Sequence, residues 1–143
     1  MTEHTFVVSR AEIRRFALAI GATDPVHHDV DAARSAGHRD LVAPAYFFQV
    51  FGLSLGRQLP SDELRADGLA ATDGLAGNVV AAGSTVTLGE PICAGDEVRI
   101  EVSEDPPETK QGSRGPLTLH TIHRRYVVGD SLAADEAYDR IAH

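Results

Sequence analysis

The order of secondary-structure signals along the chain predicts an α+β fold, and three observations carry this prediction. Helical periodicity and helix stop signals dominate residues 10–37. The most apolar stretch, residues 45–53, follows Pro44 and predicts a helix buried on most sides. From residue 78 onward, alternating and β-branched runs between turn residues predict antiparallel strands. Helices followed by strands favour one buried helix wrapped by a sheet.

The first helix is predicted from its start and stop signals, after a short β-like run at residues 5–8. Ser9 and Glu12 form a capping box, in which each side chain bonds a free amide at the helix start. Gly21 supplies the left-handed residue that ends the helix. Apolar residues recur between these signals at helical spacing and predict one buried face: Ile13, Phe16, Ala17 and Ile20.

Two further segments complete the first half of the chain. Residues 29–36 predict a short helix with acidic residues at its start, and Gly37 ends it. Residues 58–77 are rich in Gly, Asp and Ala and lack apolar periodicity. A segment of that length without regular structure is typical of a lid or binding loop.

The second half predicts strands separated by turns. Strict alternation over residues 97–102 indicates a half-buried strand. Residues 105–116 contain three prolines and two glycines and predict an exposed connection between strands. Gly129-Asp130 predicts a tight hairpin turn. The remaining predicted strands cover residues 78–89, 117–128 and 131–141.

Composition limits the classes of function. A length of 143 residues predicts a single domain, residues 1–143. Thirteen Lys and Arg against 21 Asp and Glu leave a net charge of −8, which argues against nucleic acid or an anionic membrane as partner. A lone cysteine, Cys93, and the lack of a signal peptide or membrane span predict a cytoplasmic protein. We expect Cys93 to be a small buried apolar residue.

Residues 16–29 run from a helix, through Gly21, into a polar turn that carries an imidazole. This stretch resembles the active-site segment of the MaoC-like (R)-specific enoyl-CoA hydratases and dehydratases, which reads Gly-Asp-x-Asn-Pro-[Ile/Leu]-His. The family's Asp and His form its acid–base pair. This chain keeps Gly21, Pro25 and His27 and has Ala22 at the position of the family's Asp.

Two other motifs extend the resemblance over nearly the whole chain. Residues 91–96 resemble the family's Pro-x-x-x-Gly-Asp turn, and residues 110–116 resemble its Lys-x-Gly-x-x-Gly-Pro loop. The resemblance is to the N-terminal-type MaoC dehydratase domain and implies a hot-dog fold, a curved antiparallel sheet around a central helix. It also implies a homodimer or heterodimer of hot-dog chains and a CoA or carrier-protein thioester substrate. The implied reaction is syn hydration of a trans-2-enoyl thioester or the reverse dehydration.

The resemblance makes His27 the candidate acid–base group, since an imidazole exchanges a proton near neutral pH. Without the motif, His27 reads as a surface or capping histidine, and His28 as solvent-facing. Asp24 is a candidate catalytic carboxylate in place of the missing Asp. It also fits a turn residue that bonds nearby amides.

Substrate contacts are also implied by the resemblance, at Ala22, Pro25, Ala45 and Tyr46. Backbone amides at the start of the buried helix would stabilise the thioester oxyanion. Pro44 has no N–H, so Ala45 and Tyr46 are the candidate donors. The Tyr46 side chain reads equally well as pocket lining or as a core aromatic.

Three functional hypotheses remain open. The first is a hydro-lyase of fatty-acid, polyketide or other natural-product metabolism that needs no cofactor. The second is a catalytically impaired subunit that binds the acyl chain and pairs with an active dehydratase, which Ala22 favours. The third, a hot-dog thioesterase, is disfavoured because residues 44–53 contain no carboxylate.

A metal centre is not expected. The neighbouring side chains of the turn at residues 27–29 would rarely converge on one ion, and His120 and His123 face opposite sides of a strand.

Overall fold

The computed structural model describes residues 2–51 and 79–143, and the loop predicted over residues 58–77 lies outside them. Six strands form one antiparallel sheet in the order β1-β3-β5-β6-β2, and β4 pairs with β5 beyond the end of β3. Among the described residues, two complete α-helices, one 3₁₀ turn and a helical segment at residues 49–51 precede β2. The elements are β1 (Thr2–Val7), α1 (Arg10–Ile20), the 3₁₀ turn (Pro25–His27), α2 (Val30–Ser35), β2 (Val79–Leu88), β3 (Glu97–Glu104), β4 (Glu108–Gly112), β5 (Gly115–Val128) and β6 (Ser131–Ala142).

Helix α1 begins and ends at the predicted signals. The Ser9 side chain accepts from the Glu12 amide, the Glu12 side chain bonds back to the Ser9 amide, and Gly21 has a φ of 71°. The buried face is shorter than predicted, because Ile13 and Ala17 are buried whereas Ile20 is 54% exposed. Ile20 lies one turn beyond Phe16, and the Phe16 ring contacts that of Phe47 in the core.

The core forms where the apolar stretch after Pro44 packs against the sheet. Phe47, Phe48 and Phe51 are each at most 2% exposed. The Phe48 ring lies 5.0 Å from that of Tyr126 on β5, and the Phe51 ring lies 6.0 Å from the same tyrosine. Alternate residues of β3 complete this layer, since Val98, Ile100 and Val102 are buried between more exposed neighbours. The alternation predicted for β3 is therefore confirmed.

The helix predicted from Pro44 begins later than expected. Residues 45–48 form a turn with hydrogen bonds between residues three apart, and helical structure is described at residues 49–51. Tyr46 has a φ of 69°, which is incompatible with an α-helix. The prediction of a regular first turn was therefore wrong, because apolar periodicity does not report a single left-handed residue.

The connection predicted over residues 105–116 contains a strand that the sequence analysis missed. Strand β4 pairs residue by residue with the start of β5, from Glu108 with Leu119 to Gly112 with Gly115. Gly115 has a φ of 122°, which an L-residue rarely adopts, and this allows the tight reversal between the two strands. Most of β4 is exposed, as predicted for this segment.

An ion pair fastens α1 to the segment after α2. The Arg10 guanidinium donates to both carboxylate oxygens of Asp40 at 2.9 and 2.8 Å, and the Leu41 amide donates to Asp40 at 2.7 Å. These hydrogen bonds, the one from Arg10 above all, lower the pKa of Asp40 to about 2.

Within the described parts of the chain, no helix has both the length and the apolar character needed to cross a bilayer.

The Asp40 pair predicts a specific loss of stability in acid. An aspartate in an unfolded chain titrates near about pH 3.9, so Asp40 stabilises the folded state above that pH and loses this contribution as the pH falls towards about 2. We expect Asp40→Asn to be less stable than wild type at about pH 7 and the gap to narrow below about pH 4 in urea unfolding. Asp130→Asn in the exposed hairpin turn is the control. A gap that stayed constant down to about pH 2 would contradict this account.

Candidate active site

The predicted active-site segment is a compact turn between α1 and α2. The Ala22 amide donates to the Ala17 carbonyl at 2.8 Å, which completes the helix end. The Asp24 carboxylate accepts from the Val26 amide at 3.1 Å, and Pro25 begins the 3₁₀ turn. Asp24 therefore caps this turn, and its side chain is directed at the backbone next to His27.

The His27 ring is fixed by one short hydrogen bond. Its Nδ1 lies 2.6 Å from the Val42 carbonyl oxygen, and the Val42 amide donates to the Val26 carbonyl at 2.9 Å. Because a carbonyl oxygen only accepts, this contact places the proton on Nδ1. The lone pair of the neutral ring is then on Nε2, where it can accept a proton. His27 is half-buried.

The neighbouring histidine differs from its prediction. His28 is half-buried, not solvent-facing, and its Nε2 donates to the Ala22 carbonyl at 2.7 Å. The His28 carbonyl in turn accepts from Arg14 at 3.1 Å. The His28 imidazole thus joins the two ends of the polar turn through the Ala22 carbonyl. The sequence, in which the two histidines are simply adjacent, does not predict this contact.

A cleft of about 180 Å³ lies between residues 42–48 and the β2–β6 end of the sheet, and Val42 links it to this segment. Ala45 and Tyr46 line it, as the resemblance implies, and Tyr46 is 49% exposed. Among the described residues, Ala22, Asp24, Pro25 and His27 are not part of this lining. The remaining walls are mostly apolar: Val42, Ala43, Pro44, Phe47, Phe48, Leu88, Gly89, Glu90, Pro91, Ile92 and Ala133.

The sequence analysis missed most of the cleft lining, and two of the missed residues bear on its chemistry. Val42 lines the cleft and also holds His27, so it joins the imidazole to the cleft wall. Glu90 is the acidic residue of the described lining of the cleft. The motif at residues 91–96 could have indicated that this part of the chain lies near the site. Its packing against residues 41–43 depends on tertiary structure and could not be predicted from the spacing of residues in the sequence.

The start of the cleft wall has an unusual backbone. Tyr46 adopts a left-handed conformation, which costs a non-glycine residue roughly 1 kcal/mol or more. The Ala45 and Tyr46 amides have no acceptor among the described residues. Within the described residues, two amide donors without an acceptor therefore lie at the wall of the cleft, and donors of this kind can stabilise an anion.

Hydrogen bonds on both sides hold residues 41–43 in place. The Ala43 amide donates to Ile92 at 2.8 Å, and the Ala94 amide donates to Leu41 at 2.9 Å. The Asp96 carboxylate accepts from the Cys93 amide at 2.8 Å and is also bonded by Arg39. Burial raises the pKa of the Cys93 thiol, and the side chain is 2% exposed, as predicted for a small apolar residue.

Comparisons with known proteins agree with this architecture. The mycobacterial ChsH1-ChsH2 complex from Mycobacterium tuberculosis contains a chain with a TM-score of 0.73 and 27% identity, covering 98% of this chain and 82% of that one. The (R)-hydratase of A. caviae involved in PHA biosynthesis has a TM-score of 0.64 and 19% identity, covering 99% of this chain and 93% of that one. The second likeness shows the fold alone.

Curated relatives match over a shorter stretch. A UPF0336 protein of Clavibacter michiganensis is 57% identical over 42 residues, which are 29% of this chain and 28% of that protein. A UPF0336 protein of Streptomyces griseus is 38% identical over 63 residues, or 43% of this chain and 42% of that protein. The chain thus matches less than half the length of these relatives.

The family model of the FAS1-like dehydratase domain region matches residues 1–136, so the chain belongs to this family and has the hot-dog fold.

Proposed function

We propose that this chain is a hydratase or dehydratase that acts on an enoyl or 3-hydroxyacyl thioester of CoA or a carrier protein. The observation that carries the proposal is His27, held in one tautomer by the Val42 carbonyl beside an apolar cleft. Membership of the FAS1-like dehydratase family over residues 1–136 supports this assignment.

The proposed chemistry uses one imidazole for both proton transfers. In the dehydration direction, Nε2 of His27 takes the proton from C2, and the electrons of the C2–H bond move onto the thioester as an enolate. The imidazolium then gives that proton to the C3 hydroxyl. The C3–O bond breaks, water leaves, and the C2–C3 double bond forms. Hydration is the reverse, and one group can serve both atoms because the elimination is syn.

The enolate oxygen needs donors that are already in place. The Ala45 and Tyr46 amides are the candidates, since both lie at the cleft wall without an acceptor among the described residues. Preorganised amide donors stabilise such an oxyanion without reorganisation during the reaction. In this proposal the thioester lies against residues 45–46 and its C2 faces His27.

The chain offers two carboxylates that could assist. Asp24 is close in sequence to His27, but its oxygen accepts from the Val26 amide. Glu90 lies in the cleft lining. Hydration of crotonyl-CoA and longer enoyl-CoAs by Asp24→Asn and Glu90→Gln, beside wild type, tests them. The carboxylate whose loss lowers kcat is the assisting group, and unchanged kcat in both leaves His27 as the acting residue.

The second candidate function is that of an acyl-binding subunit that pairs with an active hot-dog chain. Ala22 favours it, because an alanine neither donates nor accepts a proton. The pairing is supported by β2, which among the described strands is an edge strand of ten residues without a charged side chain. Val80 and Leu88 on this strand are each 48% exposed. Long uncharged edges readily pair with another strand.

Ala22→Asp distinguishes the two candidates. We expect this substitution to raise kcat for crotonyl-CoA hydration at least about tenfold, because it restores a second proton-transfer group. Ala22→Asn, which has a similar shape and no acid, is the matched control and should give no gain. Activity in Ala22→Asp with none in wild type would support the impaired subunit. The absence of any gain would contradict a role for position 22 in proton transfer.

A further inference from the structure

Asp96 is a buried carboxylate that the proposed mechanism does not use, and the residue is only 6% exposed. Its two oxygens have different partners. One accepts from the Arg39 guanidinium, whose Nε lies 2.9 Å away, and the other accepts from the Cys93 amide at 2.8 Å. Burial of a carboxylate is costly unless its oxygens are bonded. Asp96 therefore joins the Arg39 side chain to the backbone at residue 93.

The turn at residues 93–96 is also fastened to the core. The Asp96 amide donates back to the Cys93 carbonyl at 3.1 Å, and Gly95 between them has a φ of 88°. The Gly95 amide donates to the Val8 carbonyl at 2.8 Å, and the Val8 amide donates to the Asp96 carbonyl at 2.9 Å. Val8 follows β1 and is 2% exposed. The turn is thus a fixed support for the segment that precedes it.

That segment, residues 92–94, pairs with residues 41–43. The two run antiparallel, with an isolated bridge between Val42 and Cys93. Backbone hydrogen bonds of 2.8 and 2.9 Å flank this bridge. Cys93 is also the residue whose amide the Asp96 carboxylate binds. The position of Val42 is therefore set by the segment that Asp96 holds.

Val42 bonds to the His27 segment on its other side. In an antiparallel pair, the backbone groups of successive residues point alternately towards and away from the partner. The Val42 amide accordingly donates to the Val26 carbonyl at 2.9 Å, and the Val42 carbonyl accepts from Nδ1 of His27 at 2.6 Å. A displacement of residues 92–94 is thus passed to the acceptor of His27 through a single residue.

We propose that Asp96 is a positioning residue for the His27 imidazole. By holding residues 92–94, it keeps the Val42 carbonyl where it fixes the ring proton on Nδ1 and leaves Nε2 available as the base. Asp96 acts from a distance, because it is not part of the described cleft lining. The inference rests on the proposed function in taking His27 as the acid–base group, but the tautomer of His27 is measurable without substrate.

Asp96→Asn tests the proposal with little change of shape. A carboxylate offers two acceptor oxygens, whereas an asparagine side chain offers one acceptor and one donor. The asparagine nitrogen then faces either the Cys93 amide or the Arg39 guanidinium, and both of these are donors. We expect the hold on residues 92–94 to weaken.

Glu101→Gln is the matched control. The Glu101 side chain on β3 is 16% exposed, and its carboxylate pairs with Arg99 and Arg125 on the sheet. The same carboxylate-to-amide change is thus made at a partly buried ion pair elsewhere. Arg39→Met is a second test variant. The Arg39 side chain is 60% exposed, so its replacement should leave the fold intact while removing the ion pair with Asp96.

The ¹⁵N shifts of the two ring nitrogens of His27 measure the tautomer at about pH 8.5, where an ordinary imidazole is neutral. His27→Asn identifies the signals. We expect the proton on Nδ1 in wild type and in Glu101→Gln. The ratio of Nδ1–H to Nε2–H rings should fall about fivefold or more in Asp96→Asn, and in the same direction in Arg39→Met.

The rate of crotonyl-CoA hydration should follow the tautomer. We expect kcat to fall about tenfold or more in Asp96→Asn, with KM changed less than about twofold, because the base is displaced while the cleft is retained. Glu101→Gln should keep wild-type kcat. Thermal unfolding checks that each variant is folded.

The outcomes separate the inference from the proposed function. An unchanged tautomer ratio in folded Asp96→Asn, or an equal change in Glu101→Gln, would overturn the positioning role whatever the activity. If Asp96→Asn does not fold, Arg39→Met decides by the same criterion. A tautomer ratio that shifts as expected, in a chain whose wild type has no turnover, would support the hold on His27 and count against the proposed function alone.

Discussion

Replacement of His27 by asparagine is expected to lower kcat for enoyl-CoA hydration at least about 100-fold, the usual contribution of a general acid–base group. Asparagine can donate from its side-chain amide to the Val42 carbonyl, as Nδ1 of the imidazole does at 2.6 Å. It has no group at the position of Nε2. The substitution thus removes the proton acceptor and can retain the contact that holds the turn.

The matched control for His27→Asn is His123→Asn. His123 lies on β5, pairs with the exposed Asp105 at 2.9 Å and is not part of the cleft lining. We expect it to retain wild-type kcat, with KM unchanged. A His27→Asn variant that folded normally and kept more than about a tenth of wild-type kcat would show that His27 is not the acid–base group.

Replacement of Phe47 by alanine is expected to have the largest effect on stability, a loss of about 3–5 kcal/mol. Phe47 is 1% exposed, and its ring meets those of Phe16 and Phe51 edge to face at 5.5 and 5.6 Å. It therefore joins α1 to the segment that enters the core. Alanine leaves a cavity that these rings cannot close, and urea unfolding measures the cost.

Leu18→Ala is the control for the Phe47 variant. Leu18 lies on α1 but is 72% exposed, so its truncation removes little buried area. Phe47→Leu should fall between the two, because leucine retains part of the apolar volume. Similar free energies of unfolding for Phe47→Ala and Leu18→Ala would contradict the assignment of Phe47 to the core.

Local signals predicted most of the fold. The Ser9–Glu12 box and Gly21 delimit α1 because they satisfy the free backbone groups of its ends. The predicted Gly129 turn lies between β5 and β6, with a φ of 58°. Strand β4 was missed because most of its residues are exposed on both faces, so no alternation marks it.

The site was less predictable, because it depends on contacts between distant segments. His27 was identified by its motif, but its acceptor, Val42, is fifteen residues away. The left-handed backbone of Tyr46 follows from tertiary packing rather than from residue type. The same is true of the position of Glu90 in the cleft lining.

The proposed mechanism requires this chain alone to move a proton to C2 of an enoyl thioester. Hydration of crotonyl-CoA in deuterated water by the purified wild-type chain, with the product examined by mass spectrometry and NMR, measures that transfer. We expect 3-hydroxybutyryl-CoA as one stereoisomer with one deuterium at C2, and none from His27→Asn. No product from the folded wild-type chain, or product only after a second hot-dog chain is added, would rule the mechanism out.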